Sequence, residues 1–473
     1  MSSWIGGRPT SGDVVYMRIF NRPTIVLNSA KAMDELLNKR GYKYSDRPRT
    51  LLLTELIGFT NNVTIMPYGE QWRRQRRWFQ AAFQSASALE SYIPVQRRES
   101  VRLLAGLVNA SQSLEDKTGD RACKALFVGL KCYVGAVMVD IAYGHGVLSH
   151  DTQFMDLAER AVVGIVEAGS AGASLVDFFP VLRHIPMWVP GMHFMRKVAE
   201  VRELTRQMID APYERVHAAM ARGTARSCFL TTLLDECAAD GTISDYDRED
   251  IKGAVSVVYS GGTDTTATAL TSFMLAIVLH PDARAKSQNE LDAVVGSERL
   301  PELDDRTALP YLEALLKEVY RWNPPVPLVL PHQVTEDDTY DSYTIPAGSM
   351  IIPNVWAISR DPDYYEDPDV FKPERFLTDN PDPDPRDFVF GFGRRLCPGQ
   401  DLGDSTVWLA ASRILAAFDV TKARDAATGV DVDFTPGFIS GIISHVIPFP
   451  CELRPRSDKV VALIRESEAV YSI

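Results

Sequence analysis

The sequence predicts a mainly α-helical fold with strand-rich stretches near its start and in its last third. Three observations carry that reading. Residues 70 to 280 read almost throughout as helices, with Pro and Gly at expected boundaries such as "YIPVQ", "DAPYE" and "DFFPVLRHIPMWVPG". Residues 12 to 28 and 325 to 358 are instead rich in β-branched and apolar residues between turn formers. The composition, 45% apolar and 24% charged over 473 residues, suits a globular chain with a large core.

The elements follow in order. "DVVYMRIF" and "PTIVLN" read as strands joined by a turn at Asn21-Arg22-Pro23. "SAKAMDELLNKRG" reads as a helix capped at Ser29 and stopped at Gly41. The segment "ALFVGLKCYVGAVMVDIAYG" is apolar but broken by Lys131 and Asp140, and reads as a buried helix rather than a membrane span. Residues 178 to 195 read as an apolar loop, either packed on the core, closing a pocket or facing a membrane. Residues 251 to 280, ending before Pro281, would make one helix of roughly 45 Å. Its centre, Gly261-Gly262-Thr263-Asp264-Thr265-Thr266, is poor in helix formers. That centre either kinks the helix or starts a second one.

"LPYLEALLKEVYRWNPP" is an amphipathic helix in which Glu318 and Arg321 lie one turn apart. Alone, such a pair reads as a solvated ion pair. "PVPLVLPHQV" and "YTIPAGSMIIPNVWAI" read as strands, "DPDYYEDPDVFKPERFL" as turns and 381 to 396 as a loop. "DLGDSTVWLAASRILAAF" is a helix, and "FTPGFISGIISHVIPFPCEL" a short hairpin.

A net charge of −12 argues against a nucleic-acid partner. The six cysteines lack C-x-x-C spacing, which argues against a zinc site or a disulfide framework and for a reducing compartment. No secretory signal is seen.

One cysteine stands apart. Cys397 lies in "DFVFGFGRRLCPG", residues 387–399, just before a helix. The free N–H groups of that helix would stabilise a thiolate and lower its pKa. Gly391, Gly393 and Gly399 let the backbone approach a large object, and Arg394 and Arg395 could pair with carboxylates on it. A flat cofactor with an iron and two acid groups meets these demands. An inert buried cysteine and a catalytic nucleophile remain as alternatives on this loop alone.

"FGFGRRLCPG" resembles the haem-binding loop of the cytochrome P450 family, F-x-x-G-x-R-x-C-x-G, through Phe390, Gly393, Arg395, Cys397 and Gly399. "GGTDTT", the E-x-x-R pair Glu318 and Arg321, "PERF" with Arg375, and "WRRQR" with Trp72 and Arg76 match further motifs of that family in its order. The resemblance runs from about Gly12 to about Arg456. It implies one large helical body with a smaller β-rich lobe, a single catalytic domain over 1–473. That replaces the roughly three domains that length alone suggests.

The resemblance also implies roles. Cys397 would be the proximal ligand of the iron of haem b. Trp72, Arg76, Arg395 and His332 would hold the haem propionates. Asp264 and Thr265 would deliver protons for dioxygen activation, Asp264 relaying them from solvent. Glu318, Arg321 and Arg375 would form a scaffold. The implied activity is a monooxygenase inserting one oxygen atom from O2. Electrons would come from an NADPH-dependent reductase, since no dinucleotide fingerprint is seen. Arg73, Arg74, Arg76 and Arg77 form a basic cluster that could dock an acidic partner or be a solvated face.

Eukaryotic relatives begin with a membrane anchor and a proline-rich hinge. This chain opens where such a hinge ends in fungal members, so a setting on the cytosolic face of the endoplasmic reticulum is implied, and a soluble form is equally compatible. Pocket walls are expected from 50–68, 178–195, 254–265, 324–331 and 437–442, largely apolar segments. They suggest a lipophilic substrate, a terpenoid or aromatic metabolite of fungal secondary metabolism. A haem-thiolate isomerase or dehydratase, and a non-catalytic haem-binding relic, are the alternatives.

Overall fold

One helix organises the molecule. Asp245–Leu279 runs unbroken for 35 residues, roughly 52 Å, through the interior of the computed structural model. The structure describes residues 12–112, 120–144, 152–168, 174–185, 193–238, 242–425, 428–439 and 441–471. The central helix starts six residues earlier than the sequence suggests, because Ser244 caps it by accepting the Asp247 N–H. It neither breaks nor restarts at Gly261-Gly262. Burial on nearly all sides outweighs the poor propensity of its centre.

Helices pack around it in layers. Asp120–Tyr143 lies along it, and Ala86–Ser111 packs on the far side of Asp120–Tyr143. Gly262 permits the first contact, since a Cβ there would meet the Met138 sulfur at 2.8 Å. Gln400–Ala417 and Pro310–Trp322 complete the packing around the central helix. Two described helices, Cys123–Tyr143 and Asp245–Leu279, are long and apolar enough to cross a membrane by length and composition, and both are mostly buried in the body.

Pro94 and Pro212, expected at helix boundaries, lie inside the helices Ala86–Ser111 and His193–Ala221. Each proline removes one N–H donor, and the rest of a long packed helix outweighs that loss. Of the apolar loop 178–195, Leu175–Phe178 and Pro180–His184 are short helical turns, and 186–192 lies outside the described residues.

The main sheet of the β-rich lobe joins the first described strands to residues 332–353. Its order is Val14–Ile19, Arg22–Leu27, Met350–Pro353, His332–Gln333. The first hairpin turns one residue earlier than expected, with Phe20 at φ +53°, and Arg22 and Pro23 already lie in the second strand. Arg22–Leu27 runs parallel to Met350–Pro353, and His332 pairs antiparallel with Ile351. Ser29 caps the following turn through the Ala32 N–H at 3.2 Å. The final hairpin pairs Phe438–Ile439 with His445–Val446. A closing helix, Asp458–Tyr471, packs on Ala86–Ser111 and is a feature the sequence reading omitted.

Candidate active site

The Cys397 loop is fixed from both sides. Its own turns are closed by Arg395 N–H to Phe392 O at 3.1 Å and Cys397 N–H to Phe390 O at 2.9 Å. Gly393 docks it on residues 37–38: its N–H donates to Asn38 Oδ1 at 2.8 Å, and a Cβ would fall 2.2 Å from Leu37 O. Gly393 also has φ +52°, so both the backbone and the space require glycine. The helix Gln400–Ala417 follows at once.

Cys397 keeps some accessible surface, yet it lies deep enough that burial pushes its thiol up. The Gly399 N–H and the Arg76 guanidinium pull the other way without prevailing. The expected lowering by the helix end is therefore overturned for the free thiol: desolvation outweighs it. A coordinating metal would deprotonate the thiol outright.

Beside the sulfur lies unbalanced positive charge. Trp72 and Arg76 sit one turn apart on the helix Glu70–Phe83. Trp72 is buried, with the Arg395 guanidinium 4.7 Å from its ring centroid. Arg395 is buried and donates to Ser45 O, Val63 O and Met66 O at 2.7, 3.1 and 2.9 Å. Burial brings its pKa down to about 10; Asp46 opposes this, and Arg76 adds to it. Arg76 has no acidic partner among the described residues; burial lowers its pKa, and a Cys397 thiolate opposes that. His332 is buried, with Nδ1 on Tyr44 O at 2.8 Å and Nε2 left without a partner. Burial, then Arg47, hold its pKa well below the usual range.

Arg47 is the member of this group that sequence reading missed. It is buried and bonds Thr64 O, Leu330 O and Pro331 O at 2.9, 2.6 and 2.8 Å. Arg394, by contrast, is exposed and donates to the Tyr68 hydroxyl at 2.6 Å, so it does not face the interior. Arg74 is committed to Asp247 and Asp250, which removes it from the expected docking cluster. Arg73 and Arg77 remain exposed.

The central helix supplies another wall. Its flanks are buried, but Gly261 is exposed and Ser260, Gly262 and Thr265 are partly so. A Cβ on Gly261 would meet only Val257, at 3.7 Å. This makes a window at mid-helix. The Thr265 hydroxyl donates to Gly261 O at 2.8 Å, within its own helix. Asp264 is buried and accepts from His445 Nε2 at 2.9 Å rather than meeting solvent directly. Sequence reading did not single out His445.

Glu318 and Arg321 overturn the solvated-pair reading of the lone motif. Both are fully buried, with Arg321 Nε and Nη2 each 2.8 Å from the carboxylate. Arg375 completes the cluster at 3.2 Å. Glu318 and Arg321 stand on the helix Pro310–Trp322, and Arg375 on the turn Pro373–Phe376 packed against it.

Among the described residues the structure thus leaves three demands: a deeply set sulfur, an Arg76 with no acid partner, and a buried His332 Nε2 with no partner. A flat group with a metal for the sulfur and carboxylates for Arg76 and for a His332 protonated at Nε2 meets these demands, so these residues fit haem.

Comparison with known proteins agrees. The family model "Cytochrome P450" matches residues 8–439. "Cytochrome P450 monooxygenase 136" of Postia placenta is 46% identical over 461 residues, 97% of this chain and 85% of that protein. "Tryptamine 4-monooxygenase" of Psilocybe cyanescens is 34% identical over 461 residues, 96% of this chain and 88% of that protein. A zebra fish cytochrome P450, solved with abiraterone, matches with TM-score 0.74 at 22% identity, covering 95% of this chain and 97% of that one, which bears on fold alone. A whole-chain family match and relatives above one-third identity make this chain a member of the cytochrome P450 family, whose fungal relatives are monooxygenases.

Proposed function

We propose that this chain is a haem-thiolate monooxygenase that oxidises a lipophilic small molecule with electrons from an NADPH-dependent reductase. The observation that carries this is the deeply set Cys397 thiol beside an Arg76 that no acid balances among the described residues. The relatives' names support the reaction class. Tryptamine in one of those names belongs to that protein; here the apolar walls favour a terpenoid or aromatic metabolite of secondary metabolism.

When bound, haem supplies the dioxygen chemistry, supported by electron donation from the sulfur. The chain's own residues do the rest. Cys397 would ligate the iron through Sγ. Arg76, Arg395 and Trp72 would hold the propionates; His332 would join them as the imidazolium, because its Nδ1–H is spent on Tyr44 O and only a protonated Nε2 can donate to a carboxylate. Asp264 would take up and pass on a proton at its carboxylate. Thr265 already spends its O–H on Gly261 O, so its oxygen is left to accept, and it orders a proton donor in the window. Arg77 and Arg394 are exposed cations that an acidic redox partner could engage, with Arg73 beside them already paired with Glu70. The proposed setting is the cytosolic face of the endoplasmic reticulum.

The test is direct. Purified protein reduced under carbon monoxide shows the red-shifted band of thiolate-ligated haem, and Cys397→Ala abolishes it. Co-expression with a fungal reductase, in a host carrying candidate terpenoids and aromatics, yields products heavier by one oxygen. A wild-type protein without the thiolate band ends this reading.

A further inference from the structure

The contact between Asp264 and His445 has a geometry that a merely structural pair would not need. Asp264 Oδ2 lies 2.9 Å from His445 Nε2, with the aspartate side chain 11% exposed and the histidine 35%. One face of the imidazole therefore meets a buried carboxylate, while the ring itself reaches accessible space. Its other nitrogen has no protein partner among the described residues. The strand His445–Val446 is also pinned where it must be. Ser444 N–H donates to Pro325 O at 2.9 Å, and the Ser444 hydroxyl donates to Asn323 Oδ1 at 2.8 Å. Asn323 Nδ2 then reaches Ser272 Oγ at 2.8 Å, about two turns along the central helix from Asp264. The imidazole is held against the helix by a buried polar network independent of its contact with Asp264.

We propose that His445 is the proton entry residue for Asp264. This rests on the reading of Asp264 as the proton-relaying group of the site. A neutral imidazole can take a proton at Nδ1 from water and release one from Nε2 to Asp264 Oδ2. It ends neutral, as the opposite tautomer, and resets by turning its ring toward solvent. Asp264 is too buried to draw protons from bulk water unaided. Tyr259, one turn before it, is no substitute: burial pushes its phenol far up, and Glu159, Cys132 and Asp264 push it further. His445 is a positioning residue, acting through Asp264 and touching no reacting atom.

The test compares His445→Gln, His445→Leu and Asp264→Asn in the haem-loaded enzyme with its reductase. Gln offers an N–H that can hold Oδ2 but cannot pass a proton; Leu offers neither. All three are expected to keep the thiolate-type carbon-monoxide band. Product per NADPH is expected to fall about tenfold or more in each, with the missing electrons recovered as hydrogen peroxide and a larger solvent isotope effect. A readout independent of turnover is the C–O stretch of the carbon-monoxide complex, which is expected to shift in Asp264→Asn and in His445→Gln. A fully coupled His445→Gln overturns the proposal, because holding the carboxylate would then suffice. So does a stretch that moves in Asp264→Asn but not in His445→Gln. A fully coupled Asp264→Asn instead overturns the underlying reading of Asp264, whatever His445 does.

Discussion

Glu318→Gln is the sharpest test of how the fold supports the site. The Glu318 carboxylate accepts from Arg321 Nε and Nη2, each at 2.8 Å, and from the Lys372 N–H at 2.7 Å, and it lies 3.2 Å from Arg375 Nε. Glu318 and Arg321 have no exposed side-chain surface, and Arg375 has 2%. Gln removes the charge and turns one acceptor into a donor facing arginine. Breaking a buried ion pair by removing one partner costs about 3–5 kcal/mol. Here the lower end applies, because the arginines keep other acceptors. Arg321 retains Ser359 O and Pro368 O at 2.8 and 2.7 Å, and Arg375 retains Asp382 at 3.0 Å. A loss of about 3 kcal/mol is a large part of the 5–15 kcal/mol that stabilises most proteins. The assay is melting temperature together with the fraction of purified chain carrying haem, and both should fall. Asp156→Asn is the control: its pair with Arg160 spans 3.9 Å with side chains 73% and 55% exposed, and its removal should change neither measure. A Glu318→Gln protein with unchanged melting and haem content would refute the claim that burial, not spacing, gives this motif its weight.

Gly393→Ala should lose cofactor and at least about 2 kcal/mol of stability, read by melting and haem content, because it joins a positive φ to a Cβ 2.2 Å from Leu37 O. Arg395→Lys should lower haem retention at fixed expression, costing about 1–3 kcal/mol, since an ammonium cannot reproduce a fork reaching three carbonyls. Asp384 has its pKa lowered to about 2: burial opposes this, and bonds from Arg386 and Lys317 prevail. Its stabilisation is present above the ordinary carboxylate pKa of about 4 and is lost as pH falls toward 2. Acid unfolding curves of Asp384→Asn should therefore converge on wild type across that window, from a deficit on the order of 1 kcal/mol at neutral pH.

What could be read from the sequence was local. The Cys397 loop is legible because its glycines, arginine and sulfur lie within ten residues, and the central helix because its apolar flanks run on past a weak centre. The first two strands were legible from β-branched runs, whereas of the expected strand 325–334 only His332–Gln333 pairs and Val355–Ile358 turns into helix. What escaped depends on distant partners. Arg47 acts on Leu330 O, 283 positions away, and His445 on Asp264, 181 positions away. No local pattern distinguishes such residues from ordinary polar ones. Pro94 and Pro212 look like boundaries because proline propensity is local, whereas the packing that keeps those helices going is not. Arg394 and Arg395 are neighbours of one type, and only the turn between them sends one outward and one inward.

The charge balance of the site links folding to cofactor. Burial depresses Arg395, Arg47 and Arg76; Arg395 and Arg47 are depressed further by a neighbouring arginine, and Asp46 is the acid that offsets them. Without an anionic ligand this cluster opposes folding, and two propionates would turn its repulsion into pairing. Ligand binding then stabilises the fold in proportion to occupancy. Arg76→Met separates the two effects, because Arg76 makes no hydrogen bond or ion pair within the described residues that its removal would orphan. The haem-free chain should unfold at the same denaturant concentration as wild type or a higher one. The loaded chain should bind haem about 10- to 100-fold more weakly, the loss of one charge-assisted hydrogen bond. An equal drop in stability with and without haem would mean that Arg76 supports the helix Glu70–Phe83 itself, and that the cationic cluster is part of the scaffold and no cradle for an anion.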